Sequence, residues 1–143
     1  MNIQQITVFL ENRTGQLSQI TQLLAQENVD IRAISIAETS DYGLVRMIVD
    51  DSHKASSILL AHGDILSMTP VWAVEVTDKP GALAHLLAVL AEDNIAVEYM
   101  YSLFTQNNEY AYMVMRVSDD AKFLNILNQK KVKIISMEEL GLK

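Results

Sequence analysis

Two short stretches of the chain carry residue types suited to holding a small charged molecule: Glu11-Asn12-Arg13-Thr14-Gly15-Gln16-Leu17 and Thr77-Asp78-Lys79-Pro80-Gly81-Ala82-Leu83. In each, an alternating apolar run gives way at a glycine to apolar residues at helical spacing. A glycine at such a junction lets the backbone turn sharply and come close to a ligand. The helix beyond it presents unpaired N–H groups at the positive end of its dipole, which suits a carboxylate. An Asn or Asp three residues before the glycine, Asn12 or Asp78, can accept a hydrogen bond from an ammonium group, so one turn offers partners to both ends of a zwitterion. The competing reading is that Asn12 and Asp78 only stabilise their turns. Finding the turn twice, at equivalent places, favours the binding role.

Other chemistry is thin. His53, His62 and His85 are scattered, with no second ligand at metal-binding spacing, and cysteine is absent, which removes thiolate metal sites and thiol nucleophiles. No Ser, His and Asp fall into a nucleophile-elbow context, and neither Gly15 nor Gly81 sits in a phosphate-loop sequence. No cofactor, metal site or catalytic residue is therefore expected. Lys130, Lys131 and Lys133 form a short basic cluster near a helix end, where they serve the helix dipole and solubility.

The elements that must position the two turns emerge from an internal repeat. A shift of 66 residues places Gly15 on Gly81, Leu17 on Leu83, Leu24 on Leu90, Ala25 on Ala91 and Asn28 on Asn94. After a two-residue insertion in the second copy the shift is 68, with Met47 on Met115 and Val49 on Val117, and a last slip to 69 aligns Ile65-Leu66-Ser67-Met68 with Ile134-Ile135-Ser136-Met137. Two units of about 70 residues are expected, 1–69 and 70–143. Ile6, Val8 and Leu10 alternate with Thr7, Phe9 and Glu11, which predicts a strand with one buried face. Leu17, Ile20, Leu23 and Leu24 recur at helical spacing from Gln16 to about Asn28. Val29 to Ala37 and Leu44 to Val49 read as strands joined by a turn at Ser40-Asp41-Tyr42-Gly43. Asp51 or Ser52 can cap a second helix that ends at Gly63, and Ile65 to Met68 closes the unit. The second copy repeats the order over Trp72 to Thr77, Ala82 to Asp93, Ile95 to Leu103, Tyr110 to Ser118, Ala121 to Asn128 and Val132 to Met137.

The order βαββαβ predicts an α+β fold: two tandem ferredoxin-like units, each an antiparallel sheet with both helices on one face. By strand parity Ile34, Ile36, Leu44 and Ile48, and in the second copy Met100, Tyr112 and Val114, are expected on the face away from the helices. An apolar bare face implies cover by another surface, hence a homo-oligomer, a dimer in the simplest case. Of the aromatic residues, only Phe9 and Tyr42 fall in the first copy, against Trp72, Tyr99, Tyr101, Phe104, Tyr110, Tyr112 and Phe123 in the second. Some of these could line a pocket for a bulky side chain, although core or interface roles are the commoner use.

Asp78-Lys79-Pro80-Gly81-Ala82-Leu83, followed by an amphipathic helix ending in Asn94-Ile95-Ala96-Val97, resembles the ACT domain, the regulatory module attached to amino-acid biosynthetic enzymes. Asn12-Arg13-Thr14-Gly15-Gln16-Leu17 with Asn28-Val29-Asp30-Ile31 is similar, with Asn in place of Asp and Thr in place of Pro. The resemblance covers both copies. It implies sheets set side by side and an amino acid bound where the first turn of one domain meets the second strand of its neighbour. Carried over, it points to Asn12, Arg13, Thr14, Gly15, Gln16 and Leu17 and to Asp78, Lys79, Pro80, Gly81, Ala82 and Leu83, with Ile34, Ser35 and Ile36 or Tyr99, Met100 and Tyr101 from the facing strands. The neutral Asn12 opposite the charged Asp78 implies that the two sites are not equivalent. If one alone binds, a turn from one copy with the strand of the other is the expected pairing. The function so implied is that of a non-catalytic regulatory protein that binds a free amino acid and signals by assembly or partner contacts. The alternative is a ligand-independent dimerisation or adaptor module acting on an amino-acid-metabolism enzyme.

Charge and hydropathy bound the partners. Lys plus Arg number 11 against 18 Asp plus Glu, a net charge of -7, which disfavours nucleic acid and anionic lipid. Half of the 143 residues are apolar, with five glycines and two prolines, a composition that can build a core. Met1 to Leu10 lacks the basic start and long apolar run of a signal peptide, and no stretch reaches the roughly 20 apolar residues of a membrane span, so a cytoplasmic chain is expected. A length of two such units leaves no room for a catalytic domain, so any regulated activity is expected on another polypeptide.

Overall fold

A computed structural model describes residues 2–11, 13–38, 41–106 and 108–143. Its elements run β1 (Ile3–Glu11), α1 (Gln16–Gln26), β2 (Ile31–Glu38), β3 (Tyr42–Val49), α2 (Ser52–His62), β4 (Leu66–Thr77), α3 (Ala82–Glu92), β5 (Val97–Leu103), β6 (Tyr110–Val117), α4 (Asp120–Gln129) and β7 (Ile134–Ile135). This is βαββαβ twice, α+β with antiparallel pairing. The closing strand of the first copy and the opening strand of the second are one element, β4, which passes through Pro70 without a break.

The chain divides into two compact units. One is Gln4–Pro70 with the tail Met137–Lys143, and the other is Val71–Ser136 with Ile3. The repeat alone places Met137 to Lys143 in the second copy, whereas the fold returns them to the first. The physical tie is specific: the Arg32 guanidinium donates to the Leu140 carbonyl at 2.8 Å, Lys143 N–H to the Asp50 carbonyl at 2.7 Å, and Leu140 is buried.

In the unit of the first copy, β3 lies between β1 and β2. Leu10 pairs with Gly43 and Val8 with Val45, while Ile36 pairs with Val45 and Glu38 with Gly43. Ile6, Val8, Val45, Met47 and Val49 turn one face of the sheet to Ile20, Leu24, Ala55 and Leu59 of the two helices, forming a closed core. The unit of the second copy repeats this with Trp72, Val74, Met115 and Val117 against Leu86, Leu90, Phe123 and Leu127. There Trp72 Nε1 donates to Asp120 Oδ1 at 2.9 Å, which satisfies the only polar atom of a buried indole.

The parity expected for three residues is corrected. Ile34 and Met100 pack against the helix-side cores, and Ile36 is paired with the core residue Val45, so all three lie on the helix face. The reason is a β-bulge in the second strand of each copy, between Ile31 and Ala33 and again between Val97 and Tyr99. A bulge adds one residue to the strand and inverts the side-chain alternation beyond it. Leu44, Ile48, Tyr112 and Val114 do have the parity of the opposite face. Ile48 and Val114 are fully buried within the single chain, so their burial needs no second copy.

Side chains close two of the helix starts, and the backbone closes every helix end. Asp51 and Asp119 cap α2 and α4, their carboxylates accepting from Lys54 N–H and Lys122 N–H at 3.1 and 3.0 Å. Each of α1 to α4 ends in a bond reaching back five residues, from Val29, Asp64, Ile95 and Val132 to the carbonyls of Leu24, Leu59, Leu90 and Leu127. This is the Schellman closure, and it needs a left-handed residue just past the helix. Asn28, Gly63, Asn94 and Lys131 fill that position.

Candidate functional site

The two strand-to-helix turns are built alike. Gly15 and Gly81 both sit at φ 88°, in the left-handed region that favours glycine, at the N-caps of α1 and α3. Arg13 N–H donates to the Glu11 carbonyl at 2.7 Å and Lys79 N–H to the Thr77 carbonyl at 2.9 Å. Gln19 N–H then reaches Gly15 and His85 N–H reaches Gly81, at 3.0 and 2.9 Å, as the first helical bonds. No acidic side chain stands in the first turn of either helix, so the dipole end is open to an anion.

Their surroundings differ. At the first turn, Leu10, Glu11, Arg13, Thr14, Ile36, Glu38, Tyr42 and Gly43 enclose a cleft of about 250 Å³. Its floor is set by register: Leu10, Gly43 and Glu38 lie in one row across β1, β3 and β2 on the helix face. The missing side chain at Gly43 leaves the middle of that row open. Ile36 is 53% exposed at one wall. Tyr42 stands beside Phe9, ring centroids 5.1 Å apart. The guanidinium of Arg13 and the carboxylates of Glu11 and Glu38 give the cleft both signs of charge.

Beyond Arg13 lies a smaller pocket of about 100 Å³, lined by Phe9, Glu11, Arg13, Gln16, His62, Gly63, Asp64 and Ile65. In the second copy, a groove of about 210 Å³ runs along Glu75, Val76, Thr77, Ala82, His85, Leu86, Val89, Lys130 and Val132.

Of the residues expected at a site, Arg13, Thr14 and Ile36 meet in the cleft, all within one copy; Gln16 joins Arg13 in the small pocket; Ala82 lines the groove. Asn12 lies outside the described residues. Gly15, Asp78, Lys79, Pro80 and Gly81 are exposed at the turns. Leu17, Ile34, Leu83 and Met100 pack against the cores, and Tyr101 is buried. Ser35, paired with Arg46, and Tyr99, paired with Arg116, are half-buried on their strands. Tyr99, Tyr101, Tyr110 and Tyr112 line none of these three clefts; the aromatic residues that do are Phe9 and Tyr42. Leu10, Glu11, Glu38, Tyr42 and Gly43 also line the cleft and were not among the residues expected there. A glycine opening a strand was a usable signal, since such positions mark close approach.

A family model for the ACT domain pair matches residues 1–142. The chain belongs to the ACT domain pair family. ACT domains are regulatory modules, and this pair has a solved structural relative in protein BT0572 from Bacteroides thetaiotaomicron. That protein is 38% identical, with a TM-score of 0.91 over 99% of this chain and 96% of that one. The fold is also that of the regulatory subunit of aspartate kinase from Thermus thermophilus, at 16% identity and a TM-score of 0.65 over 88% of this chain and 91% of that one. No curated protein matches. Among the described residues of this ACT pair, no helix is long and apolar enough to cross a membrane, and no group of His, Asp and Glu is arranged to hold a metal ion.

Proposed function

We propose that this ACT pair is a non-catalytic regulatory protein that binds a free amino acid in the cleft of the first copy. The carrying observation is the convergence of Arg13, Glu11 and Glu38 beside the turn that leads into α1, with Leu10, Ile36 and Tyr42 as apolar walls. An α-carboxylate can pair with the Arg13 guanidinium in a charge-assisted bond, close to the positive end of the α1 dipole. The ammonium group fits the carboxylates of Glu11 and Glu38, and the side chain lies over Gly43. A volume of about 250 Å³ is at or below the lower end of the roughly 300–1,000 Å³ of drug-sized sites, which suits a single small zwitterion.

The same positions in the second copy, counted at offsets of 66 and 68, are Thr77 for Glu11, Phe104 for Glu38 and Ala111 for Gly43. The counterparts of Glu11 and Glu38 carry no carboxylate, Asp78 stands where the first turn has Asn12, and the open floor is narrowed, so the second turn is not an equal site. Likeness of fold to an aspartate kinase regulatory subunit supports a role in amino-acid metabolism, with the regulated activity on a partner enzyme. Occupation of the cleft would then change the surface shown to that partner or to a second copy of the chain, which requires different affinities for the two states.

Calorimetric titration with the twenty amino acids tests the reading. At least one binds the wild-type protein, and Ile36→Asp, which puts a carboxylate on the apolar wall, abolishes its binding while circular dichroism is unchanged. Silence across all twenty would sink the proposal in favour of a ligand-independent module.

A further inference from the structure

If the cleft of the first copy takes an amino acid as proposed, on which all that follows rests, the sheet register also restricts the ligand's side chain. Glu11 ends β1 and Arg13 follows it, whereas Glu38 is the last residue of β2. Glu38 pairs with Gly43 and Gly43 with Leu10, so the Glu38 backbone stands two strand spacings, roughly 10 Å, from β1. Gly43, between them, puts no side chain in the way: even an added Cβ would approach Leu10 only to 3.7 Å. Among the described residues, Glu11, Arg13 and Glu38 enter no ion pair, unlike Arg32 with Asp30 or Arg116 with Glu98. Each is free to answer a ligand. The α-ammonium needs only one of the two carboxylates, and Glu11 stands at the same end of the cleft as Arg13. A zwitterion held by these two residues leaves Glu38 without a partner at the far end, and the lining with one negative charge in excess.

We propose that the cleft selects an amino acid with a cationic side chain, of the lysine or arginine kind. With its α-carboxylate on Arg13 and its α-ammonium on Glu11, the side chain crosses Gly43 and delivers its positive end to the Glu38 carboxylate in a charge-assisted bond. A ligand with one net positive charge balances the excess of the lining. Its stem lies against Ile36 and Tyr42, 53% and 39% exposed, apolar surface of the kind that long basic side chains cover while their heads stay polar. Other classes lose a partner. A short neutral side chain stops over Gly43 and leaves the Glu38 end empty, an acidic one meets Glu38 with like charge, and a diamine without a carboxylate leaves Arg13 unanswered. The net charge of -7 adds a field that draws a cation in.

Calorimetric titration of the full chain with lysine, arginine, norleucine and glutamate tests the assignment. Norleucine has the lysine skeleton without the terminal ammonium. Lysine or arginine binds the wild type on the order of tenfold more tightly than norleucine, the low end for a hydrogen bond between charged groups because Glu38 is exposed before binding. Glutamate binds weakest. Glu38→Gln, which keeps the shape and removes the charge, brings the basic amino acids to the affinity of norleucine, whereas Glu11→Gln weakens lysine and norleucine by a like factor. Gly43→Val, which fills the crossing, abolishes binding of all four. An amino acid whose binding is lost in Gly43→Val but needs no positive side chain, or a basic preference that survives Glu38→Gln, overturns the side-chain assignment and leaves the cleft as the site. Binding untouched by Gly43→Val, or silence with every amino acid, overturns the cleft itself and the assignment with it.

Discussion

Replacing Gly43 by valine separates stability from binding at the cleft. Gly43 is not one of the glycines at positive φ, so an L side chain meets no backbone strain. A Cβ built there would lie 3.7 Å from the Ala37 carbonyl oxygen and from Leu10 Cβ, and 3.8 Å from Leu10 Cδ1, all ordinary contacts. Valine also favours an extended strand and reduces the freedom of the unfolded chain, and together these are worth up to roughly 1 kcal/mol. At about 2–4 °C per kcal/mol for a chain near this size, Tm stays level or rises by a few degrees. The two methyl groups, however, stand in the open row between Leu10 and Glu38, where the amino-acid side chain is proposed to lie. A ligand present at 100 times its Kd stabilises the wild type by about 2.7 kcal/mol, or on the order of 5–10 °C. In Gly43→Val that shift disappears. Differential scanning fluorimetry, with and without the amino acid found by titration, reads both effects. A variant that keeps the ligand-induced shift refutes the cleft as the site. One that loses several degrees without ligand refutes the reading of Gly43 as an unfilled place on the sheet.

The helix ends and the tail make further predictions. Lys131 holds a left-handed position at φ 58° that Gly63 fills in the first copy at φ 96°, so Lys131→Gly should stabilise by about 1 kcal/mol and Gly63→Lys destabilise by about 1–2 kcal/mol. Urea denaturation of the pair checks the opposite signs. Asp120→Ala leaves the buried indole of Trp72 without its acceptor and should cost about 1–3 kcal/mol. Because Trp72 is the one tryptophan, its fluorescence tracks that loss directly. Removing residues 137–143 uncovers the contacts of Leu140 and frees Arg32, and should lower stability by about 2–4 kcal/mol. Hydrogen exchange should show the loss first in β2 and β3, not in the helices of the second copy.

Much of this was legible in the residues because short-range rules and the repeat agree. Alternation marked β1, helical spacing marked α1, and Gly15 and Gly81 marked turns that do adopt the left-handed backbone. What could not be read depends on a single inserted residue or on distant segments meeting. The bulges after Ile31 and Val97 put Ile34, Ile36 and Met100 on the helix face, and no composition signal separates a bulged strand from a straight one. The hydrogen bonds from Phe9 to Ile65 and from Glu75 to Lys133 keep the offset at 68 into the last strand, although side-chain identity suggested 69. Asp64 and His62, which give the small pocket its polarity, come from the far end of α2 and reach Gln16 only through the tertiary fold.

The two copies also show why a matching turn is weak evidence of a matching site. Their backbones agree bond for bond, from the 2.7 and 2.9 Å contacts before each glycine to the first helical bonds after it. A helix start of this kind favours an anion whatever surrounds it, so the shared geometry can account for a carboxylate partner in either copy. Discrimination must come from side chains that answer the rest of the ligand. Glu11, Gln16, Glu38 and Asp64 supply four acceptors around the first turn, and their counterparts Thr77, Ala82, Phe104 and Val132 leave one hydroxyl among them. The second turn has instead the carboxylate of Asp78, at the place of Asn12, so the two turns offer a cationic donor different sets of partners.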